Sequence, residues 1–401
     1  MRYPFNIFRI ILIATITLSV LSCEEREIPT PETEKSVLLY FAANNDISHY
    51  LLANIESLKK GYLPSNGNII IYLDAPNAAP KLFRLAKNKA TNTIEEVLIE
   101  QYAQDERATD PAVLTRTLLR LQERFPAKEY GLIMSSHATG WLPKGALSSS
   151  DLRSKSLFAP PMHISNDDLP ITKTFGEYAS DPGMDLTDLA NAIPYRLSFI
   201  LFDACFMGGI ETAFALRNVT DYLIASPTEI LAQGFPFDKI MQPIFSPKSD
   251  LKQVCNAFYN FYKDHPSENL QSATIALYHT ESLDELANNL KTIYNTYRAD
   301  LIHFSPNSIQ HYANASLFYD LDEFIMQLTS PIEYASFKTA INKVVVHKQA
   351  TNSFLSRVVS NAYVPIRHFG GISTYIPIDT QPLLRAAYRE TEWNRAVRLI
   401  E

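Results

Sequence analysis

Five short runs of the chain are almost continuously apolar: VLLYFAANN (37–45), NIIIYLDAP (68–76), YGLIMSSH (130–137), LSFILFDAC (197–205) and YLIASP (222–227). A strand with one wet face alternates apolar and polar residues, and a strand covered on both faces does not, so these runs predict the buried strands of a parallel sheet. Stretches between them carry apolar residues at helical spacing, as in AVLTRTLLRLQERF (112–125) and GIETAFALRN (209–218). The alternation predicts an α/β fold with an open, mostly parallel sheet and helices on both faces. Beyond about residue 240 the texture turns helical, in SLDELANNLKTIYNTY (282–297) and LFYDLDEFIMQLT (317–329). Two further strands are predicted there, SATIALYHT (272–280) and GGISTYIPI (370–378). Residues 241–401 are thus expected to form a helical, mixed region that packs on and extends residues 37–240.

With 401 residues, 46% of them hydrophobic, the chain can bury a full core. A formal net charge of -7 gives no basic field, so nucleic acid is excluded as a partner. The first residues show an export signal: Arg2 and Arg9 precede an apolar stretch, Ile10 to Leu21, that is short for a membrane span. VLSC, ending in Cys23, resembles the lipobox of bacterial lipoproteins, which implies lipid on Cys23 after removal of residues 1–22. Residues 23–36, rich in charge and proline, then read as a flexible tether. An exported, membrane-anchored protein of the bacterial cell envelope is expected. Loss of residues 1–22 removes two basic residues and no acid, leaving 34 basic against 43 acidic, a net charge of -9.

Besides Cys23 the chain has two cysteines. Cys255 lies in LKQVCNAFYNFYK (251–263), where helical spacing predicts a buried position. Cys205 ends a predicted strand, as His137 does, and open α/β sheets gather their chemistry at the carboxyl ends of strands. A buried strand-end cysteine alone is an ordinary small apolar residue. Paired with an imidazole from a neighbouring strand it becomes a nucleophile, because His137 can take the thiol proton and return it to a leaving amine. Glycines flank both residues, Gly140 in HATGW and Gly208 and Gly209 in CFMGG, and would let backbone N–H groups turn toward a developing oxyanion. A helix starting right after Cys205 would also favour the thiolate.

YGLIMSSHATGWLP and LFDACFMGGIETAFAL resemble the clostripain family of cysteine peptidases, relatives of caspases and gingipains. Supporting matches are MDLTDLANAI (184–193), IASPTEILAQGFPF (224–237), FYDLDEF (318–324) and GGISTYIP. The resemblance implies a caspase-like sheet, a catalytic domain over 37–240, His137 as acid and base, and Cys205 as nucleophile. It requires no third catalytic group. It further implies oxyanion donors in the backbone of Ala138 and Cys205, with Ala138 standing where the family usually has glycine. Asp203 matches an acid that favours Arg or Lys before the scissile bond, and Glu229 is the acid of the following segment that would assist it. By its own chemistry Asp203 could equally pair internally. Relatives can be activated by cleavage between the two motifs, where residues 143–183 form a long polar stretch containing Arg153 and Lys155. Protein or peptide substrates are therefore expected. The other histidines lack metal-ligand spacing and no EF-hand loop is present, so no metal and no cofactor are read. The competing reading is a scaffold with a decayed site that serves as a binding or structural module.

Overall fold

A computed structural model describes residues 33–63, 66–143, 183–313, 317–358, 362–377 and 382–401. In chain order the strands are β1 (Thr33–Ala42), β2 (Gly67–Asp74), β3 (Lys81–Lys87), β4 (Ile94–Gln101), β5 (Ala127–Ser135), β6 (Leu197–Asp203), β7 (Thr220–Ala225), β8 (Thr274–His279), β9 (Tyr319–Asp320), β10 (Val345–Ala350), β11 (Ser353–Ser356), β12 (Ala362–Pro365) and β13 (Ser373–Thr374). Nine of these make one sheet, ordered β10-β8-β7-β6-β5-β1-β2-β3-β4. The five apolar runs are its centre, and each of their pairings is parallel. Antiparallel strands β3 and β4 close one edge, and β8 and β10 the other.

Burial follows the pattern of the runs. Val37 to Phe41 are at most 1% exposed, which requires cover on both faces. Two sets of helices supply it. One comprises α1 (Ser48–Gly61) with Phe237–Ile244 and Leu251–Lys263; the other includes α2 (Pro111–Arg124) with Leu186–Ala192, Ile210–Leu216 and Glu392–Val397, joined through Leu283–Thr296 to Pro331–Val344. Leu251–Lys263 and Pro331–Val344 both touch β8 and β10, so the sets sandwich the sheet. Cys255 is buried in Leu251–Lys263, where burial pushes its thiol far above the ordinary range.

Several expectations change in detail. β1 begins at Thr33, so residues 33–36 of the expected tether belong to the sheet, where Lys35 is buried against the Ile244 carbonyl at 2.8 Å. Among its described residues GGISTYIPI contributes only β13, which pairs with β9 outside the main sheet, where Gly209 and Glu211 engage its backbone and side chains. β3, β4, β9, β10, β11 and β12 lie outside the predicted strands. β4 is an edge strand whose residues are mostly exposed, so it shows no core periodicity. All described residues fall within one compact unit, and residues 241–401 extend the sheet through β8 and β10. Cys23, Arg153 and Lys155, with the expected signal segment 1–22 and most of 143–183, lie outside the described residues.

Candidate active site

Register decides the site. Ser135, the last residue of β5, pairs with Asp203, the last residue of β6. His137 and Cys205 each follow two residues later, so two neighbouring parallel strands release imidazole and thiol at the same level of the same sheet edge. Backbone packing holds the two loops together. Gly140 adopts φ +63°, and a Cβ there would fall 2.6 Å from the Phe206 carbonyl oxygen, a position only glycine fills comfortably. The Phe206 ring stacks on Phe318, with centroids 4.5 Å apart, and Trp141 packs against Tyr375 and Tyr388. Segments far apart in sequence, SHATGW, DACFMGG, FYDLDEF and GGISTY, thus meet around one point.

The turn that follows Cys205 is fastened to the segment after β7. Phe206 donates its N–H to the Thr228 carbonyl at 3.0 Å, and Gly208 donates to the Ser226 carbonyl at 2.8 Å. Ile230 points its N–H at the Cys205 sulfur from 3.2 Å, a contact that a thiolate accepts well. Cys205 is fully buried. Phe206, immediately after it, holds a left-handed φ of +60°, a strained setting for an aromatic residue. Helix Ile210–Leu216 begins only after the turn through Gly209, so the expected helix N-terminus does not reach the thiol; the Ile230 amide takes that place.

His137 has a nearly buried ring, and its Nε2 lies 2.6 Å from Asp46 Oδ1. That hydrogen bond holds the Asp46 carboxyl below the ordinary range. Asp46 escaped the sequence reading, although it directly follows the first apolar run and so obeys the same strand-end rule that marked His137. Ala138 is not among the described residues with positive φ, so alanine fits the backbone at this position without strain. Asp203 is fully buried and accepts from the Ser135 hydroxyl at 2.5 Å and from the Phe235 N–H at 3.2 Å. Its charge also helps burial push the Tyr262 phenol well up. Glu229 is buried too, with both oxygens accepting the Arg357 N–H at 3.0 and 2.8 Å. This ties it to the end of β11 as a brace of the segment that holds Cys205. Among the described residues no group of three His, Cys, Asp or Glu side chains is arranged to hold a metal, and no helix is long and apolar enough to cross a membrane.

A parallel sheet that presents a thiol and an oriented imidazole on adjacent strand ends belongs to the class of α/β cysteine peptidases. The chain is a member of the clostripain family, whose profile matches residues 39–153 and 170–381. Clostripain of Hathewaya histolytica is 27% identical over 243 residues, 53% of this chain and 43% of that protein, so the match spans less than half the relative's length. An inactive zymogen protease from Parabacteroides distasonis superposes with a TM-score of 0.77 at 32% identity, covering 92% of this chain and 99% of its own. Iotapain, a secreted cysteine protease from Bacteroides thetaiotaomicron, gives 0.75 at 27% identity, covering 92% of this chain and 100% of its own. A clostripain from the same organism, in complex with the peptide inhibitor BTN-VLTK-AOMK, gives 0.50 at 32% identity over 56% of this chain and 98% of its own.

Proposed function

We propose that this protein is a cysteine endopeptidase, held at the bacterial envelope by lipid on Cys23, that cleaves after Arg or Lys with Cys205 and His137. The observation that carries the reading is the Ser135–Asp203 register, because His137 and Cys205 each lie two residues past that pair. In the reaction the Cys205 thiol passes its proton to His137, and the sulfur forms a bond to the substrate carbonyl carbon. The carbonyl oxygen takes up the electron pair, opposite backbone N–H groups of Ala138 and Cys205. Collapse breaks the C–N bond, and His137 protonates the departing amine. Water, activated by the same imidazole, then hydrolyses the thioester and restores the thiol.

Asp203 is the proposed anchor for the basic substrate side chain. A buried carboxylate beside the nucleophile supports this, as does the lysine that ends the VLTK inhibitor bound by one relative. The complete enclosure of Cys205 supports a latent state opened by self-cleavage at Arg153 or Lys155, in keeping with a relative that is an inactive zymogen. Export is supported by the secreted relative, and the anchor by the VLSC segment.

The test is hydrolysis of peptide amides bearing Arg, Lys, Ala or Asp before the scissile bond, by residues 24–401 and by Cys205→Ala. Cleavage confined to Arg and Lys, absent in the variant, is expected. Another preference would remove Asp203 from the reading, and equal turnover by the variant would remove Cys205. Prolonged incubation should convert the single band to two, and Arg153→Ala with Lys155→Ala should keep it whole. Cys23→Ala should move the protein from the membrane fraction to the soluble one.

A further inference from the structure

We infer that Asp46 is the positioning residue of this site: it fixes the ring orientation and the tautomer of His137, extending the pair to three groups on three adjacent strand ends. The consequence for turnover rests on the peptidase reading above; the orientation of the ring does not.

The sheet supplies the first observation. Phe41 of β1 pairs with Ser135 of β5, which pairs with Asp203 of β6, so a single row crosses the three strands. Asp46, His137 and Cys205 follow that row by five, two and two residues. The sheet edge therefore presents carboxylate, imidazole and thiol in spatial order, with the imidazole in the middle.

The second observation is the rigidity of the turn that carries Asp46. Asn45 donates through Nδ2 to the Ala42 carbonyl at 2.9 Å and accepts the Ile47 N–H on Oδ1 at 3.2 Å, which closes a tight turn around Asp46. Ser136, the residue before His137, donates to the same Ala42 carbonyl at 3.0 Å. Both partners are thus fixed to one backbone oxygen at the end of β1. The 2.6 Å contact between them joins groups whose positions are already set, so little freedom is lost in making it.

Chemistry gives the contact its meaning. A neutral imidazole carries one proton, and only the nitrogen without it can receive another. A carboxylate accepts and does not donate, so Asp46 selects the tautomer with the proton on Nε2. Nδ1 is then the nitrogen that accepts the Cys205 proton and later gives it to the amine. The Asp46 charge also steadies the imidazolium formed in between. Because the His137 contact keeps the Asp46 carboxyl below its ordinary range, Asp46 is charged throughout the neutral region in which such an enzyme would operate. Without Asp46 the ring would divide between two tautomers, and one of them cannot start the reaction.

The experiment reads the tautomer and the kinetics separately. Residues 24–401 are labelled with 15N-histidine, and the His137 signals are identified by their loss in His137→Ala. In the unaltered protein the neutral ring should show its proton on Nε2, and in Asp46→Ala a mixture with the Nδ1 form. Asp46→Ala should also lose roughly a hundredfold or more in kcat while KM stays within about twofold, and Asp46→Glu should recover part of the kcat. An unchanged tautomer in Asp46→Ala, or an unchanged kcat, overturns the inference. If the unaltered protein hydrolyses no peptide amide, the peptidase reading fails, and the tautomer alone decides the role of Asp46.

Discussion

His137 and His368 each meet an aspartate through Nε2, Asp46 at 2.6 Å and Asp322 at 3.1 Å, yet the two pairs are built for opposite ends. His137 bonds a carboxylate at the end of β5, the strand beside the one that leads to Cys205. His368 stands between two carboxylates, with Asp320 3.6 Å away, and Asp322 also binds Lys338 at 2.9 Å. Asp320 is buried, caps helix Leu321–Leu328 through the Glu323 N–H, and accepts from Tyr312 and from the Gly370 N–H. Its cluster clamps the FYDLDEF segment to residues 368–370 and so holds Phe318 against Phe206. A histidine and an aspartate do not define a site by themselves: the first pair neighbours the strand that leads to Cys205, and the second carries a surplus of opposite charge that makes a clamp.

Breaking the first pair at its chemistry should have the largest effect. Cys205→Ala and His137→Ala should each cost about 10⁴-fold or more in hydrolysis of an Arg or Lys peptide amide, near 5 kcal/mol in barrier, with thermal unfolding barely moved. Breaking the clamp should do the reverse. Asp320→Ala leaves a hydroxyl and backbone N–H groups buried without their acceptor, and should cost about 3 kcal/mol in urea unfolding; stability equal to the parent would show that the cluster holds nothing.

pH sharpens the contrast. His368 is raised above its ordinary value, first by its Asp322 bond, so its contribution is complete below about 6.5 and fades as pH rises through the raised value. Asp322, lowered to about 2 by His368 and Lys338 against the opposing effect of burial, contributes above about 4 and loses that as pH falls toward 2. His368→Gln should therefore cost about 1 kcal/mol or less near pH 5.5, and less again near pH 8.5. A cost that grows with pH would reverse the assignment. The smallest effect concerns the position after His137. Ala138 fits its backbone, so Ala138→Gly should change kcat/KM by less than about threefold and lower stability by about 0.4–1 kcal/mol through the unfolded chain. A large gain in turnover would show that alanine constrains the oxyanion site.

Much of the site could be read along the chain because its signals are local. The apolar runs marked the parallel strands, and their ends marked His137, Cys205 and Asp203. What was lost depended on strand order. Asp46 sits in a loop of ordinary composition and gains its role only because β1 lies beside β5. Ser135, which holds Asp203, and the Ile230 amide at the sulfur are equally silent in sequence, since a backbone N–H has no letter. Glu229 read as a pocket acid, and its tie to Arg357 crosses 128 residues. The edge strand β4, with glutamates on both faces, offered no alternation to detect.

The sequence alone determined the buried parallel strands, the helices between them and the identities of thiol and imidazole, because burial pattern and strand-end chemistry are written within a few neighbouring residues. Tertiary structure alone decided the partners: Asp46 for His137, the Ile230 N–H for Cys205, Ser135 for Asp203 and Arg357 for Glu229. Each of those contacts depends on which strands lie side by side, and that order is settled by packing the whole core rather than by any single segment.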